Sequence, residues 1–314
     1  MDINLSYMKS YCVLGSINMD MVTRVSAFPN PGQTVEGESF ATFPGGKGAN
    51  QAVALGRLGA SVKIVGRLGD DLFGAQYLRV FDSEGVGSDA LETMPGSSTG
   101  TASIEVDDAG ENHIIVVAGA NGLVDTDFVK KNRSVIESSD FLLLQLEIPL
   151  ESVVLAAQIA RDAGRIVILD PAPARILPEK LISLSSIITP NETEASVLTG
   201  ENTRDEKGIR GAGEKLLNLG TQMAIIKAGE RGAYLATQGH FERIPGFNVK
   251  SVDTTAAGDS FNAGLAFALG MGYGIIEAIR FANAVAAIST TRDGAQPAMP
   301  LREEVEAFLA NRVG

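Results

Sequence analysis

The sequence predicts an α/β protein: a mainly parallel central sheet between helices, with a small β-sheet lid at one edge. Three observations predict it. Short apolar runs alternate with stretches of helical periodicity, the signature of strand–helix–strand units in a parallel sheet. One run, "FLLLQLE" (141–147), is apolar enough for a central strand buried on both faces. Two stretches, near 18–43 and 97–118, instead alternate polar and apolar residues, as in "TASIEVDDAGENHIIVV". They read as half-buried antiparallel strands separate from the main sheet.

In chain order, "YCVLGSI" (11–17) reads as the first strand. "GKGANQAVALGRLG" (46–59) reads as a helix, with small and apolar positions at Ala49, Ala52, Val53 and Gly56. A strand, "SVKIVGRLG" (61–69), and a helix over 73–84 follow. In the second lid stretch, Asp108, Ala109 and Gly110 stand where a hairpin turn is expected. After the strand at 141–147 come a helix over 149–163 stopped by Gly164, strands at 165–170 and 186–191, and a helix over 206–219 closed by Gly220. "QMAIIKAGERGAYLA" (222–236) reads as two strands joined by a glycine-containing turn. Residues 260–269 and 274–290 are the last long helices before a short C-terminal one. No internal repeat, Pro/Ser-rich linker or low-complexity tail interrupts this pattern. Residues 1–314 therefore read as one α/β domain with the lid inserted.

Composition narrows the function classes. The chain is 45% apolar and 20% charged, ordinary for a protein with a sizeable core. A formal charge of −12 argues against a nucleic-acid or anionic-membrane surface, though a small anionic ligand needs only a local positive site. Cys12 is the only cysteine, which excludes an internal disulfide and suits a reducing cytoplasm. Residues 1–10 lack the basic and apolar regions of a signal peptide. The uncharged stretch at 260–276 contains Ser260, Asn262 and four glycines, which is poor for a membrane span.

Five stretches could carry chemistry. "VDTTAAGDSFNAG" (252–264) sets Asp259 after three small residues, Ala256, Ala257 and Gly258, where a helix begins. A helix cap explains the carboxylate. It does not explain why three successive amides are cleared of side chains. "FPGGKGANQA" (43–52) sets Gly45, Gly46 and Gly48 around Lys47 before a helix, with Asn50 at the helix entrance. It is not a P-loop, because Gly48 stands where a hydroxyl residue must follow the lysine. It serves either as a structural turn or as a ligand's close approach to the backbone. "GSINMD" (15–20) puts Asn18 and Asp20 after the first strand, at the sheet end where α/β proteins bind ligands. Two residues apart in extended chain they point the same way and suit a polyol, or they are turn formers. "TPNETEA" (189–195) puts Asn191 and Glu194 on one face of a helix start, as a cap or as ligand contacts. "KAGERGA" (227–233) is a glycine turn at a strand end, and Glu147 closes the strand at 141–147. His113 and His240 show no metal-ligand spacing, and no Ser-His-Asp or Cys-His set is evident.

Taken together, the order of these stretches resembles the ribokinase (PfkB) family of sugar kinases, from about residue 13 to 308. "GSINMD", "GGKGANQAVALGRLGA", "QLEIPLE", "DPAPARILPE", "IITPNETEA", "VDTTAAGDSF", "EAIRFANAVAAI" and "GAQP" carry the resemblance. It implies a ribokinase-like three-layer α/β/α fold and transfer of a phosphoryl group from ATP to the 5-hydroxyl of D-ribose. It implies Asp259 as general base, beside an anion hole formed by the amides of Ala256, Ala257 and Gly258. By the same resemblance Asn18, Asp20, Gly46, Lys47, Gly48, Ala49, Asn50 and Glu147 surround the sugar. Asn191, Lys227, Ala228, Gly229, Glu230, Arg231, Gly232, Gly258 and Asn283 line ATP. Glu194 organises Mg²⁺ through water. K⁺ is implied at Asp253, Thr255, Ser289, Arg292 and Gly294, with Ala298 where a serine is often found. The lid is implied to close over the sugar and to pair two chains into a homodimer. A sister kinase acting on 2-deoxyribose or a nucleoside, or a non-catalytic sugar-binding regulator, would share much of this pattern.

Overall fold

The computed structural model describes residues 9–312, so most of the 1–10 segment lies outside the described residues. Among them, nine strands form one sheet and four form a second. The chain runs through β1 (Ser10–Leu14), leaves the large sheet for β2 (Asn18–Arg24) and β3 (Ser39–Gly45), then returns through α1 (Lys47–Arg57) to β4 (Ser61–Gly69). Helix α2 (Leu72–Ser83) leads to β5 (Gly87–Met94), and β6 (Gly100–Val106) and β7 (Asn112–Val117) complete the small sheet. Next come α3 (Thr126–Lys131), α4 (Arg133–Ser138), β8 (Phe141–Leu144), α5 (Leu150–Asp162), β9 (Ile166–Leu169), α6 (Glu179–Leu184), β10 (Ile187–Ile188) and α7 (Glu192–Thr199). Helix α8 (Glu206–Asn218), strands β11 (Met223–Lys227), β12 (Ala233–Thr237) and β13 (His240–Ile244), and helices α9 (Ala257–Gly270), α10 (Ile275–Ser289) and α11 (Arg302–Ala310) finish the chain.

The large sheet has the order β13-β12-β11-β10-β9-β8-β1-β4-β5. Seven strands are parallel, and β12 and β13 add an antiparallel edge. Alternate residues of β1 feed two cores, one on each face. Tyr11 and Val13 pack with α1, α2, α9 and α10, while Cys12 and Leu14 pack with α3 to α6. This period of two explains the three layers and the absence of charge in β1 and β8. Helix α9 is buried from Asp259 to Ala268, and its Phe261, Leu265 and Phe267 contribute roughly 2 kcal/mol each. That burial fixes the helix whose first turn carries Asp259.

The parallel strands place the site. Residues that follow the carboxyl ends of β1, β8, β9 and β10, together with the last residue of β11, emerge along one edge of the sheet: Asn18, Glu147, Asp170, Asn191 and Lys227.

Three features differ from the expected pattern. The small sheet has the order β3-β2-β6-β7, and its central pair β2–β6 is parallel, so it is two antiparallel hairpins laid side by side. Residues 141–147 form strand only to Leu144, because the backbone beyond turns into the site. Strands β5 and β13 and helices α3, α4 and α6 carry no strong periodic signal. They are short or lie at the edges, where one face meets water and charges such as Asp89 and Glu92 are tolerated.

Candidate functional site

A cleft of about 540 Å³ opens at this sheet edge. Asn191, Glu194, Lys227, Gly229, Glu230, Gly232, Ala256, Ala257, Gly258, Asp259 and Asn283 all line it. Two expected members do not. Ala228 is buried behind the turn, and Arg231 pairs with Glu192, which itself lines the cleft. Asn191 and Glu194 satisfy the cap reading of their motif and lie on the cleft wall. They form a reciprocal capping box on α7, with Glu194 N donating to Asn191 Oδ1 (2.8 Å) and Asn191 N to Glu194 Oε2 (2.7 Å), and they face the cleft. Burial pushes the Glu194 carboxyl up, opposed by Lys227 and reinforced by Asp170. Asn283 Nδ2 donates to Pro245 O at 3.1 Å, fixing its amide on the far wall.

Helix α9 starts from Ala256, the one non-glycine residue at positive φ (57°) among those described. A left-handed alanine costs about 1 kcal/mol, and such strain concentrates at functional sites. The three residues of this turn, Ala256, Ala257 and Gly258, line the cleft and carry no side chain larger than a methyl group. Ala257 N donates to Thr254 O at 3.2 Å, a turn bond it would share with a bound anion. A Cβ added to Gly258 would lie 3.3 Å from Lys227 Nζ, so an ammonium stands beside these amides.

Asp259 is 4% exposed. Asn50 Nδ2 donates to its Oδ2 at 3.0 Å and Gln51 Nε2 to its Oδ1 at 3.1 Å. Burial pushes its carboxyl up to about 6, opposed by Lys47, raised further by Asp170, and opposed again by the two amide donors. The Lys47 ammonium is destabilised by burial, but Asp259, Asp170, Glu147 and Glu194 around it raise its pKa overall.

The residues expected around a sugar gather on the other side of Lys47 and Asp259. Asn18 is buried, and its Oδ1 accepts from Asn121 Nδ2 at 2.7 Å. Asp20 is pushed up to about 7, first by burial and then by Glu147 and Asp259, with Lys47 opposing. Its carboxylate lies over Gly45, where an added Cβ would fall 2.2 Å from Oδ2. Gly46 has φ of 85°, and an added Cβ there would lie 2.6 Å from Asn18 N, so both glycines let β3 turn tightly against β2. Glu147 Oε2 accepts from Lys47 N (3.2 Å) and from Ser16 Oγ, at the start of α1. Gly48 and Ala49 lie buried in the first turn of α1 and contribute backbone only.

Asp253 meets the segment after α10. Its Oδ1 accepts from Thr255 N (2.8 Å) and Thr255 Oγ1 (2.6 Å), and its Oδ2 from Gly294 N (2.9 Å). Partial burial raises the Asp253 carboxyl, but these bonds outweigh it and the net shift is downward. Ser289 ends α10, the Arg292 side chain pairs with Glu304, and Ala298 is fully buried. No cluster of three or more His, Cys, Asp or Glu side chains able to hold a metal occurs among the described residues.

Several participants escaped the sequence reading. Asp170 forms an ion pair with Lys227 at 2.8 Å. Gln51, Gln145, Asn121, Tyr77 and Gln296 are buried polar residues that join the site residues to one another. Gln296 Nε2 reaches Asn50 Oδ1 (3.2 Å) and the Tyr77 hydroxyl (3.3 Å). Arg57 holds the Gln296 segment by donating to Gln296 O (2.7 Å) and Met299 O (2.9 Å). The available signal was a polar residue inside an otherwise apolar element: Gln51 in α1 and Gln145 after β8.

Comparison with known proteins gives the family and the fold. Residues 8–302 match the family model described as pfkB family carbohydrate kinase. The chain is 44% identical to a ribokinase of Haemophilus influenzae over 301 residues, covering 96% of this chain and 98% of that one. It is 42% identical to a ribokinase of Bacillus subtilis over 303 residues, covering 96% and 100%. Among solved structures it superposes on Arabidopsis thaliana ribokinase complexed with ribose and ATP with a TM-score of 0.92, at 34% identity, covering 96% and 98%.

Proposed function

The chain belongs to the pfkB family of carbohydrate kinases, and we propose that it phosphorylates D-ribose at the 5-hydroxyl with ATP, giving D-ribose 5-phosphate and ADP. One observation carries the reading. Asp259, buried and held at both oxygens, stands where the cleft meets the Asn18, Asp20 and Asn50 cluster, one residue after the bare amides that open α9. A carboxylate at that junction can take the proton of a sugar hydroxyl as its oxygen attacks phosphorus. The neighbouring amides and the positive end of α9 then hold the charge spread over the moving phosphoryl oxygens. With its carboxyl near 6, Asp259 is mostly ionised at neutral pH yet basic enough to accept a proton. Asn18 and Asp20 bind sugar hydroxyls in pairs, and Lys47 balances the carboxylates gathered there. The cleft between Asn191 and Asn283 takes the nucleotide, and the small sheet serves as a lid that excludes water.

Two ions suit the donors present. Glu194 is a single carboxylate held by Asn191, which fits Mg²⁺ bound through water, and that ion supplies neutralisation of the ATP phosphates. Gly294 N donates to Asp253, which brings this carboxylate beside the segment after α10; K⁺ would be held there by Asp253 and backbone carbonyls of Thr255, Ser289, Arg292 and Gly294. Ala298 adds no side-chain oxygen. The lid also suits a homodimer. Ile114, Ile115, Val116 and Val117 of β7, all more than half exposed, and Phe40 of β3 leave apolar surface open on the small sheet. The single buried thiol, Cys12, accords with a cytoplasmic enzyme.

The test is ADP release with ATP and a panel of sugars. D-ribose should be turned over in preference to 2-deoxyribose, since unpaired groups at Asn18 and Asp20 penalise the missing hydroxyl. Asp259→Asn should lose roughly 10²–10⁴ in kcat with little change in sugar binding. Turnover of no sugar would favour a binding protein, and a preference for 2-deoxyribose would favour the sister activity.

A further inference from the structure

We propose that Gln51, its amide locked by Gln145, is a positioning residue that clamps Asp259 in one orientation and holds it apart from Asp170. The proposal rests on the reading of Asp259 as the base. Gln51 Nε2 lies 3.1 Å from Asp259 Oδ1 and 3.1 Å from Asp170 Oδ2. Those two oxygens are therefore within about 6 Å of each other, close enough for two carboxylates to repel strongly. An amide NH₂ has two protons, and here each carboxylate takes one. That fixes which way the Gln51 amide faces. Its oxygen must point away and needs a donor, and Gln145 Nε2 supplies it at 2.7 Å. Were the Gln145 amide reversed, two carbonyl oxygens would face each other. Both orientations therefore follow from a single requirement, a donor between two acids.

The surroundings are built for this arrangement. Gln51 and Gln145 are 1% and 0% exposed. Gln145 Oε1 has no hydrogen-bond partner among the described residues. It occupies the space that a side chain at Gly15 would fill, since an added Cβ would lie 2.0 Å from it. A core that served packing alone would place an apolar residue here. Lys227 holds the other oxygen of Asp170 at 2.8 Å, and Asn50 holds the other oxygen of Asp259. Each acid thus has one partner of its own and shares Gln51. The charged groups facing Asp259 are Lys47 on α1, Asp20 on β2 and Asp170 after β9. Glu147, Glu194 and Lys227 act at longer range through Lys47 and Asp170. Lys47 is a cation shared by Asp259 and Asp170, while Gln51 hydrogen-bonds to both, so removing Gln51 takes one donor from each acid and leaves Lys47 to offset their repulsion.

The experiment measures kcat and kcat/KM against pH for Gln51→Met, Gln145→Met and Asp259→Asn, with thermal melts of each. Loss of a donor raises the carboxyl of Asp259, so activity appears only at higher pH. Gln51→Met should move the acidic limb of kcat/KM upward by about one pH unit and lower kcat near pH 6.5 about threefold, with recovery near pH 9. KM for ATP should hold. Gln145→Met touches only the Gln51 amide and should move the limb the same way by less. It carries the test if Gln51→Met does not fold. A lower melting temperature with the wild-type limb in both variants would mean that Gln51 is merely structural and overturn the proposal. If Asp259→Asn is inactive while those limbs stay put, this inference alone fails. If Asp259→Asn turns over normally, the base assignment fails and takes this inference with it.

Discussion

Replacing Asp20 by asparagine should make the protein more stable at alkaline pH and useless to its sugar. The folded chain pushes the Asp20 carboxyl up to about 7, through burial and then the charges of Glu147 and Asp259. In the unfolded chain the same group titrates near 4. Between those values the folded state binds the extra proton, so stability falls as pH rises from about 4 to about 7 and stays reduced above. At full weight the difference corresponds to roughly 4 kcal/mol, and partial exposure reduces it to on the order of 2 kcal/mol. Asparagine keeps the shape and removes the charge, so it recovers the whole loss above about pH 7, a part of it between about pH 4 and pH 7, and nothing below about pH 4. In a chain of this length 2 kcal/mol raises Tm by roughly 4 °C. Melting curves of both proteins at pH 5 and pH 8.5, without ligands, measure it. Asp20→Asn should gain fully at pH 8.5 and only about a third as much at pH 5, while kcat/KM for ribose collapses because a carboxylate acceptor for hydroxyls is gone. An equal change in Tm at both pH values would show that charge is not the cause. A lower Tm at pH 8.5 would show that the carboxylate is a net stabiliser and that the site is not strained by its acids.

Activity should rise with K⁺ and less with Na⁺, and Asp253→Ala should need several-fold more K⁺ for half-maximal rate; identical rates with and without K⁺, ammonium and caesium excluded, would remove the ion from the account. Ile115→Lys places a charge on the open face of β7, 67% exposed, and should shift the protein to monomer in sedimentation without lowering Tm. A parent protein that sediments as a monomer would remove the lid interface.

What the sequence revealed follows a physical rule. Residues at the ends of parallel strands show themselves locally, because an apolar run must stop where they begin. Asn18, Glu147 and Asn191 each come just after such a run, and Asp259 stands behind its cleared amides. The small sheet was legible from its alternation, but the parallel β2–β6 pairing was not, since nothing within either hairpin states which strand lies beside the other. Strand β5 was hidden because an edge strand tolerates Asp89 and Glu92 on a face that meets water.

The network beneath the site was illegible for a different reason. Gln51 touches Gln145 across 94 residues and Asp259 across 208. A residue that binds substrate is constrained by where the strand ends, and that constraint leaves a mark in spacing. A residue that only orients another side chain can come from any element that reaches it, so its mark is chemical: a polar group where burial demands an apolar one. Gln51, between Asn50 and Ala52 on a buried helix, adds a second amide among the small apolar residues Ala49, Ala52 and Val53 of α1. Burying that amide unpaired would cost about 1–3 kcal/mol, so it persists only with partners on every side, and its partners are the two acids and Gln145. A buried amide in a core helix marks a place to look for polar partners; Asn283 in α10 finds backbone carbonyls, and Gln51 in α1 finds the carboxylate at the head of α9.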